Sequence, residues 1–288
     1  MTPDQIQPGG AGGGGSGRMN APRILHYPGS KWSMADWIIE HMPPHQTYLE
    51  PFFGSGAVFF NKPPSPLETI NDIDGDVVNL FRVIRDRPDE LARLVYWTPY
   101  SRQEYNASYD MEGADDIERA RRFLVRCWMA RSGRTYGSSG WRNRYNKIGT
   151  DPIKQWNELP VKIKEIAERL KSVQIEQQPA VELIHRYNRD DVLIYADPPY
   201  VLATRSGRMY RHEMTDADHT ELLEALDAHP GPVLLSGYDN PLYNERLKHW
   251  RRDTKQVKAE GGKIRENRTE VLWMNPVAAE SFGQKTLF

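Results

Sequence analysis

The chain has 288 residues, a formal net charge of -1 and a single cysteine, Cys127. That length buries a large core, in one domain or in one domain carrying an insertion, and the near-neutral charge leaves any nucleic-acid affinity to local patches. One cysteine excludes an internal disulfide and a multi-cysteine metal site; the eight histidines are scattered, so no metal is expected.

No apolar stretch approaches membrane-spanning length and no signal-peptide core opens the chain, so the expectation is a protein of a reducing cytosol, cytoplasmic and with no membrane partner. Residues 1–22, which include the run Gly9 to Gly17, are too rich in Gly, Ser and Pro to build a core and read as a flexible tail. Order is expected from about Ile24. The turn His26-Tyr27-Pro28-Gly29-Ser30-Lys31 feeds a helix predicted from Lys31 to His41, which Pro43-Pro44 stops. Thr47–Glu50 predicts a short strand running into Pro51-Phe52-Phe53-Gly54-Ser55-Gly56 and then a helix at Ala57–Asn61. Strand, glycine turn and helix start suit an adenosyl ligand, because glycine lets backbone approach a ligand closely; an ordinary tight turn has the same composition. A second strand, Glu68–Asp72, ends in an acid of the kind that holds ribose hydroxyls, although Asn71, Asp72 and Asp74 equally suit a helix cap.

A long helical stretch follows, predicted at Asp74–Arg85, Pro88–Tyr96, Arg102–Tyr109, Asp115–Arg131 and Val161–Ser172. No acidic residue occurs from Arg119 to Thr150, and the loop 131–147 interleaves basic groups with aromatic and amide side chains. Arg131, Arg134, Trp141, Arg142, Arg144 and Lys147 are therefore candidate DNA contacts, and residues 81–172 read as an inserted target-recognition domain.

The α/β pattern then resumes, with strands predicted at Val173–Ile175, Val192–Ala196, Val233–Ser236 and Val271–Met274, the last closing the sheet, and helices at Ala180–Tyr187, Thr215–Ala228 and Pro241–Leu247. Alternating strands and helices imply a mainly parallel, doubly wound Rossmann-like sheet built from 23–80 and 173–276. Its central strand runs into Asp197-Pro198-Pro199-Tyr200, which leaves a carboxylate and an aromatic ring at the strand's C-terminal end, where open α/β sheets bind ligands. The tetrad suits methylation of an exocyclic amino group. Asp197 and the Pro198 carbonyl are placed to accept the two N–H hydrogens of a poorly nucleophilic aromatic amine, Pro199 stiffens the turn, and Tyr200 is placed to stack on the base. Taken alone, the same residues describe a strand and a Pro-Pro turn. The loop after Tyr200 adds Arg205 and Tyr210 as DNA contacts.

Together, Tyr27-Pro28-Gly29-Ser30-Lys31, Glu50-Pro51-Phe52-Phe53-Gly54-Ser55-Gly56, Asn71-Asp72-Ile73-Asp74 and Asp197-Pro198-Pro199-Tyr200 resemble the Dam-like (alpha-group) DNA adenine methyltransferases, particularly the short forms of phages and prophages. The likeness spans about residues 24–276. It implies S-adenosylmethionine as cofactor, with Lys31 on the methionine carboxylate and Tyr27 beside it. Glu50, Phe52, Phe53, Gly54, Ser55 and Gly56 would line the cofactor, Asp72 hold its ribose, Ile73 pack on its adenine, and Asp197 touch both cofactor and target. It further implies double-stranded DNA as substrate and a flipped target adenine. Pro179 stands where many relatives carry an Asp near the cofactor adenine, which shifts that contact to Gln177 or Gln178 or removes it.

Residues 277–288 are expected to form a mobile tail. Its end, Gln284-Lys285-Thr286-Leu287-Phe288, resembles the pentapeptide that docks replication and repair proteins on the bacterial sliding clamp, with Gln284, Leu287 and Phe288 as the contacts. The rival readings are cytosine amino-methylation, where Ser is more typical at position 197; methylation of RNA or of a protein glutamine; and a clamp-tethered DNA-binding module without catalysis.

Overall fold

The computed structural model describes residues 21–132, 137–145, 149–204, 207–258 and 267–285. It divides into two compact units, one drawn from Met1–Trp32, Gly54–Pro63 and Gly75–Ser172, the other from Ser33–Phe53, Pro64–Asp74 and Val173–Phe288.

The second unit is an α/β unit. Its strands are β1 (Thr47–Glu50), β2 (Leu67–Asn71), β3 (Gln174–Glu176), β4 (Val192–Ala196), β5 (Val233–Tyr238), β6 (Arg251–Lys258) and β7 (Asn267–Met274). They form one seven-stranded sheet in the order β3-β2-β1-β4-β5-β7-β6. The first five neighbours are parallel, whereas β7 runs antiparallel to both β5 and β6. The expected doubly wound α/β sheet is therefore present, with chain order reversing between β1 and β4. Every residue of β1 and of β4 is buried, as the apolar run of β4 dictates for a central parallel strand. Ile194, Leu235 and Trp273 from the sheet pack with Leu222 and Leu226 of α10 (Asp216–Asp227). The unit's other helices are α1 (Ala35–Glu40), α9 (Ala180–Arg186), α11 (Pro241–Arg246) and α12 (Pro276–Lys285).

Three expectations change here. The sheet does not close at β7: β6 lies beyond it, a strand of sequence RRDTKQVK whose charges suit an exposed edge and hide the apolar alternation by which strands are recognised. The helix expected from Lys31 begins only at Ala35, after turns. The C-terminal segment is not a loose tail from 277, because α12 continues to Lys285. Asn275 starts that helix: its Oδ1 accepts from the Ala278 N–H at 3.0 Å, and Pro276 occupies the first helical position, where a missing N–H costs nothing.

The first unit is helical. It contains α2 (Ala57–Asn61), α3 (Gly75–Asp86), α4 (Pro88–Trp97), α5 (Arg102–Ala107), α6 (Asp116–Met129), α7 (Pro152–Asn157) and α8 (Leu159–Leu170). α3 packs on α6 and α8, and α4 packs on α8. Asp115 caps α6 by accepting from the Glu118 N–H at 2.9 Å. A buried ion pair joins α3 to α6: the Arg126 guanidinium donates to Asp76 at 3.0 Å and to the Ser108 carbonyl at 2.5 Å. The short helix α7, not expected from the sequence, starts on an Asp151 cap and Pro152, and Trp156 secures it by donating to the Thr98 carbonyl at 2.9 Å.

His26 packs edge-on against Trp128, with ring centroids 4.4 Å apart. Burial, with the neighbouring charges of Arg23, Arg142 and Lys162, lowers its pKa to about 4. The unfolded ring takes up a proton near pH 6.5 and the folded ring only near 4, so the neutral ring's contribution is whole above 6.5 and is lost as pH falls through that window. Urea unfolding midpoints are expected to fall from pH 6.5 to 4, and less steeply in His26→Gln; equal slopes in the two proteins would refute the assignment.

Candidate active site

Parallel strands end together, so β2, β1 and β4 deliver three loops to one edge of the sheet at the point where strand order reverses. β1 ends in Glu50, 2% exposed, whose carboxylate accepts from the Tyr48 hydroxyl at 2.7 Å. Phe52 leans on the hydrophobic core and Phe53 is buried. β2 is followed by Asp72, whose Oδ1 accepts from the Asp74 N–H at 2.9 Å and so folds the turn that leads into the next helix. Ile73 leaves its apolar side chain 41% exposed on this turn. The Asp74 carboxylate lies 3.4 Å from the guanidinium of Arg211, which ties the 207–214 segment to the end of β2.

β4 delivers Asp197-Pro198-Pro199-Tyr200 to the same edge. Asp197 is partly exposed as a residue, with its Oδ1 buried. Tyrosines surround it. Tyr195, fully buried and 3.0 Å from the Ser236 hydroxyl, has its phenol pushed well above the ordinary range, first by burial and then by the charge of Asp197. Burial followed by the same charge raises Tyr243. Tyr200 donates its hydroxyl to Glu270 Oε2 at 2.7 Å and packs edge-on against Tyr238, with centroids 4.5 Å apart. These phenols remain protonated donors throughout the neutral range.

Two residues here escaped the reading of the sequence as parts of the site. Asn71, 1% exposed, is the clamp of the edge. Its Nδ2 donates to the carbonyls of Pro51 (2.9 Å) and Gln178 (3.1 Å), its Oδ1 accepts from the Gln178 N–H (3.0 Å), and its own carbonyl accepts from the Phe53 N–H (2.9 Å). One side chain thereby fixes the loops after β1 and β3. Glu270, the other, lies on β7, seventy residues from the tyrosine it holds. Glu270 carries no local signal, and Asn71, although it stands in the Asn71–Asp74 motif, gives no sign of its clamping role, because both act through partners distant in the chain. Gln178 spends its side chain on Glu176 and Arg186, which leaves it engaged within the protein rather than at the place vacated by Pro179.

The helical unit brings two further motifs together. Ser30 and Ser55 share a hydrogen bond of 2.8 Å, which joins the Tyr27–Lys31 turn to the Gly54–Gly56 turn. Gly54 and Gly56 have φ of +49° and +65°, and a Cβ on Gly54 would meet the Tyr27 ring at 3.0 Å, so only glycine fits there. Lys31, 5% exposed, donates from Nζ to the Gly29 carbonyl at 2.8 Å.

The basic segment is more structured than its composition implies. Ala130 and Trp141 form an antiparallel bridge, the Arg142 N–H donates to the Met129 carbonyl at 2.7 Å, and Arg131 Nε donates to the Trp141 carbonyl at 3.3 Å. Trp141 stacks with the Arg102 guanidinium 5.0 Å from its ring centroid. Arg144 is ion-paired with Asp151, just beyond the stretch without acids. In the loop after Tyr200, Tyr210 gives its N–H to Glu213 at 3.0 Å. Arg134, Lys147, Arg205, Leu287 and Phe288 lie outside the described residues, as does the side chain of Gln284. Among the described residues no group of three or more His, Cys, Asp or Glu is arranged to hold a metal, and no helix is long and apolar enough to cross a membrane.

Comparison with known proteins gives a consistent identification. Over 246 residues the chain is 27% identical to the DNA adenine methylase of Salmonella typhimurium, covering 77% of this chain and 82% of that one. It is 25% identical over 254 residues to the Type II methyltransferase M1.LlaDCHI of Lactococcus lactis subsp. cremoris, covering 80% and 86%. Among solved structures, a putative RNA methyltransferase from Pyrococcus horikoshii aligns over 90% of each chain with a TM-score of 0.39 and 9% identity. A profile of the D12 class N6 adenine-specific DNA methyltransferases matches residues 27–261, and the chain belongs to that family.

Proposed function

We propose that the edge formed by the ends of β1, β2 and β4 is where this S-adenosylmethionine-dependent DNA adenine methyltransferase carries out its reaction. The observation that carries the reading is Asp197-Pro198-Pro199-Tyr200 standing beside β1 where strand order reverses. Asp197 and the Pro198 carbonyl accept the two N–H hydrogens of the target adenine, which draws the nitrogen lone pair out of conjugation with the ring. When bound, S-adenosylmethionine supplies a methyl group already activated on a sulfonium. The Asp197 carboxylate receives the proton that the nitrogen sheds. Tyr200 stacks on the base, which must leave the duplex to reach the edge.

The residues present fit the cofactor. Asp72 offers a carboxylate for ribose hydroxyls, Ile73 an exposed apolar surface for a purine face, and Phe52 and Phe53 an apolar wall beside Glu50. Lys31, with Tyr27, is assigned to the methionine carboxylate, and the tight turn of Gly54, Ser55 and Gly56 to close backbone approach. Residues 81–172 serve target recognition, with Arg131 and Arg142 toward phosphates and the Arg102–Trp141 stack as a rigid platform. The C-terminal pentapeptide docks on the sliding clamp of a bacterial cell, with α12 as its stalk. A cytosine reading is not favoured, since Asp rather than Ser stands at position 197.

Transfer of radiolabelled methyl groups to unmethylated duplex DNA is expected to yield methyladenine, and Asp197→Ala to lower the rate about 10²- to 10³-fold with DNA binding retained; a wild-type rate in that variant would refute the assignment. Asn71→Ala leaves the Pro51 carbonyl and both backbone groups of Gln178 short of a partner, at a cost of about 1–3 kcal/mol. It is expected to lower the melting temperature and weaken S-adenosylmethionine binding, as read by thermal unfolding and equilibrium binding. Deleting residues 284–288 should abolish binding to the sliding clamp yet leave methylation of short duplexes intact; clamp binding that survives the deletion would refute the docking role.

A further inference from the structure

We propose that Glu270 and Tyr238 are positioning residues that grip the ring of Tyr200 and hold it at the angle the target base requires. This rests on the placement of Tyr200 beside the acceptor base. Pro198 and Pro199 fix the backbone leading to Tyr200, but they leave its own side-chain torsions to be set by whatever the ring meets. What it meets is a cross-strand pair. Tyr238 on β5 and Glu270 on β7 are directly opposite in the antiparallel register. Glu270 takes the hydroxyl at 2.7 Å, and Tyr238 meets the ring edge-on at 4.5 Å with an interplanar angle of 76°.

The grip is built into the sheet rather than into a loop. Each strand of the pair is hydrogen-bonded along its length, from Leu234↔Met274 to Tyr238↔Glu270, so the two contacts on the ring cannot drift apart. Glu270 is 6% exposed, and a buried carboxylate keeps its place only where donors reach it; the Tyr200 hydroxyl is one such donor. Burial and the charge of Glu270 together keep that phenol protonated well above neutral pH, so the donor persists across the working range. An aromatic ring held at its hydroxyl and at one edge resists both tilting and swinging, and a stacking surface so fixed spares the incoming base the ordering cost.

The test uses the full-length protein, unmethylated duplex DNA and tritiated S-adenosylmethionine, read as single-turnover methyl transfer, with cofactor binding and thermal unfolding measured in parallel. Tyr200→Phe removes only the hydroxyl, and Glu270→Ala removes its acceptor. Each is expected to slow transfer on the order of 10-fold or more while cofactor affinity stays within about twofold. The double variant is expected to be no slower than either single one, since both remove the same contact. Glu270→Gln, which keeps an acceptor, should recover most of the rate. Tyr200→Phe at the wild-type rate while Tyr200→Ala is inactive would overturn the grip and leave the stacking role standing. Tyr200→Ala at the wild-type rate would overturn the placement of Tyr200 itself, and the grip with it. If Glu270→Ala does not fold, Tyr200→Phe decides the question alone.

Discussion

The parallel pairing of β1 on both sides organises the edge at which the chemistry is placed. A fully buried strand must give every backbone N–H and carbonyl a partner, and β1 finds them in β2 on one side and β4 on the other. Because both neighbours run in its own direction, the three chains leave the sheet at the same edge. The segments that follow Asn71 and Ala196 are thereby delivered beside the Glu50 turn although they are far from it along the chain. Asn71 completes the arrangement, since loops leaving a parallel sheet have no ladder to hold them. Its amide replaces the ladder with three hydrogen bonds reaching two loops, and its main-chain carbonyl adds a fourth. A site that needs carboxylates and carbonyls aimed at small groups depends on such second supports more than on the motif residues themselves.

What the sequence made legible follows from where each signal is stored. β4 announces itself because five consecutive residues are buried and two prolines end it, and the core helices announce themselves because one face of each is apolar. The edge strand β6 does not, since an exposed edge is kept soluble by charges that erase the apolar alternation. α7 and α12 begin on ordinary cap-and-proline signals, Asp151-Pro152 and Asn275-Pro276, but α7 is short and α12 weakly amphipathic, so apolar periodicity marks neither. Glu270 is not legible as part of the site, and Asn71 is legible as a member of its motif but not as a clamp. Their roles exist only through Gln178 and Tyr200, more than a hundred residues away in one case and seventy in the other. The basic loop was legible in composition but not in detail, because nothing in its own stretch shows that Arg144 is met by Asp151.

Electrostatics at the sheet edge separates two tasks that a DNA methyltransferase has to combine. Glu50, Glu270 and Asp197 put carboxylates at or near the ends of the strands, and tyrosines accompany each of them: Tyr48 and Tyr200 donate to the glutamates, and Tyr195 and Tyr243 feel the charge of Asp197. A phenol satisfies a carboxylate without neutralising it, whereas an Arg or Lys in the same place would cancel the charge. The stretch from Arg119 to Thr150 contains no acidic residue, which suits the contacts to the DNA backbone that we propose for it. In the reaction proposed for this edge Asp197 accepts N–H hydrogens, a role that the neighbouring phenols of Tyr195 and Tyr243 leave intact and for which an arginine on the same carboxylate would compete.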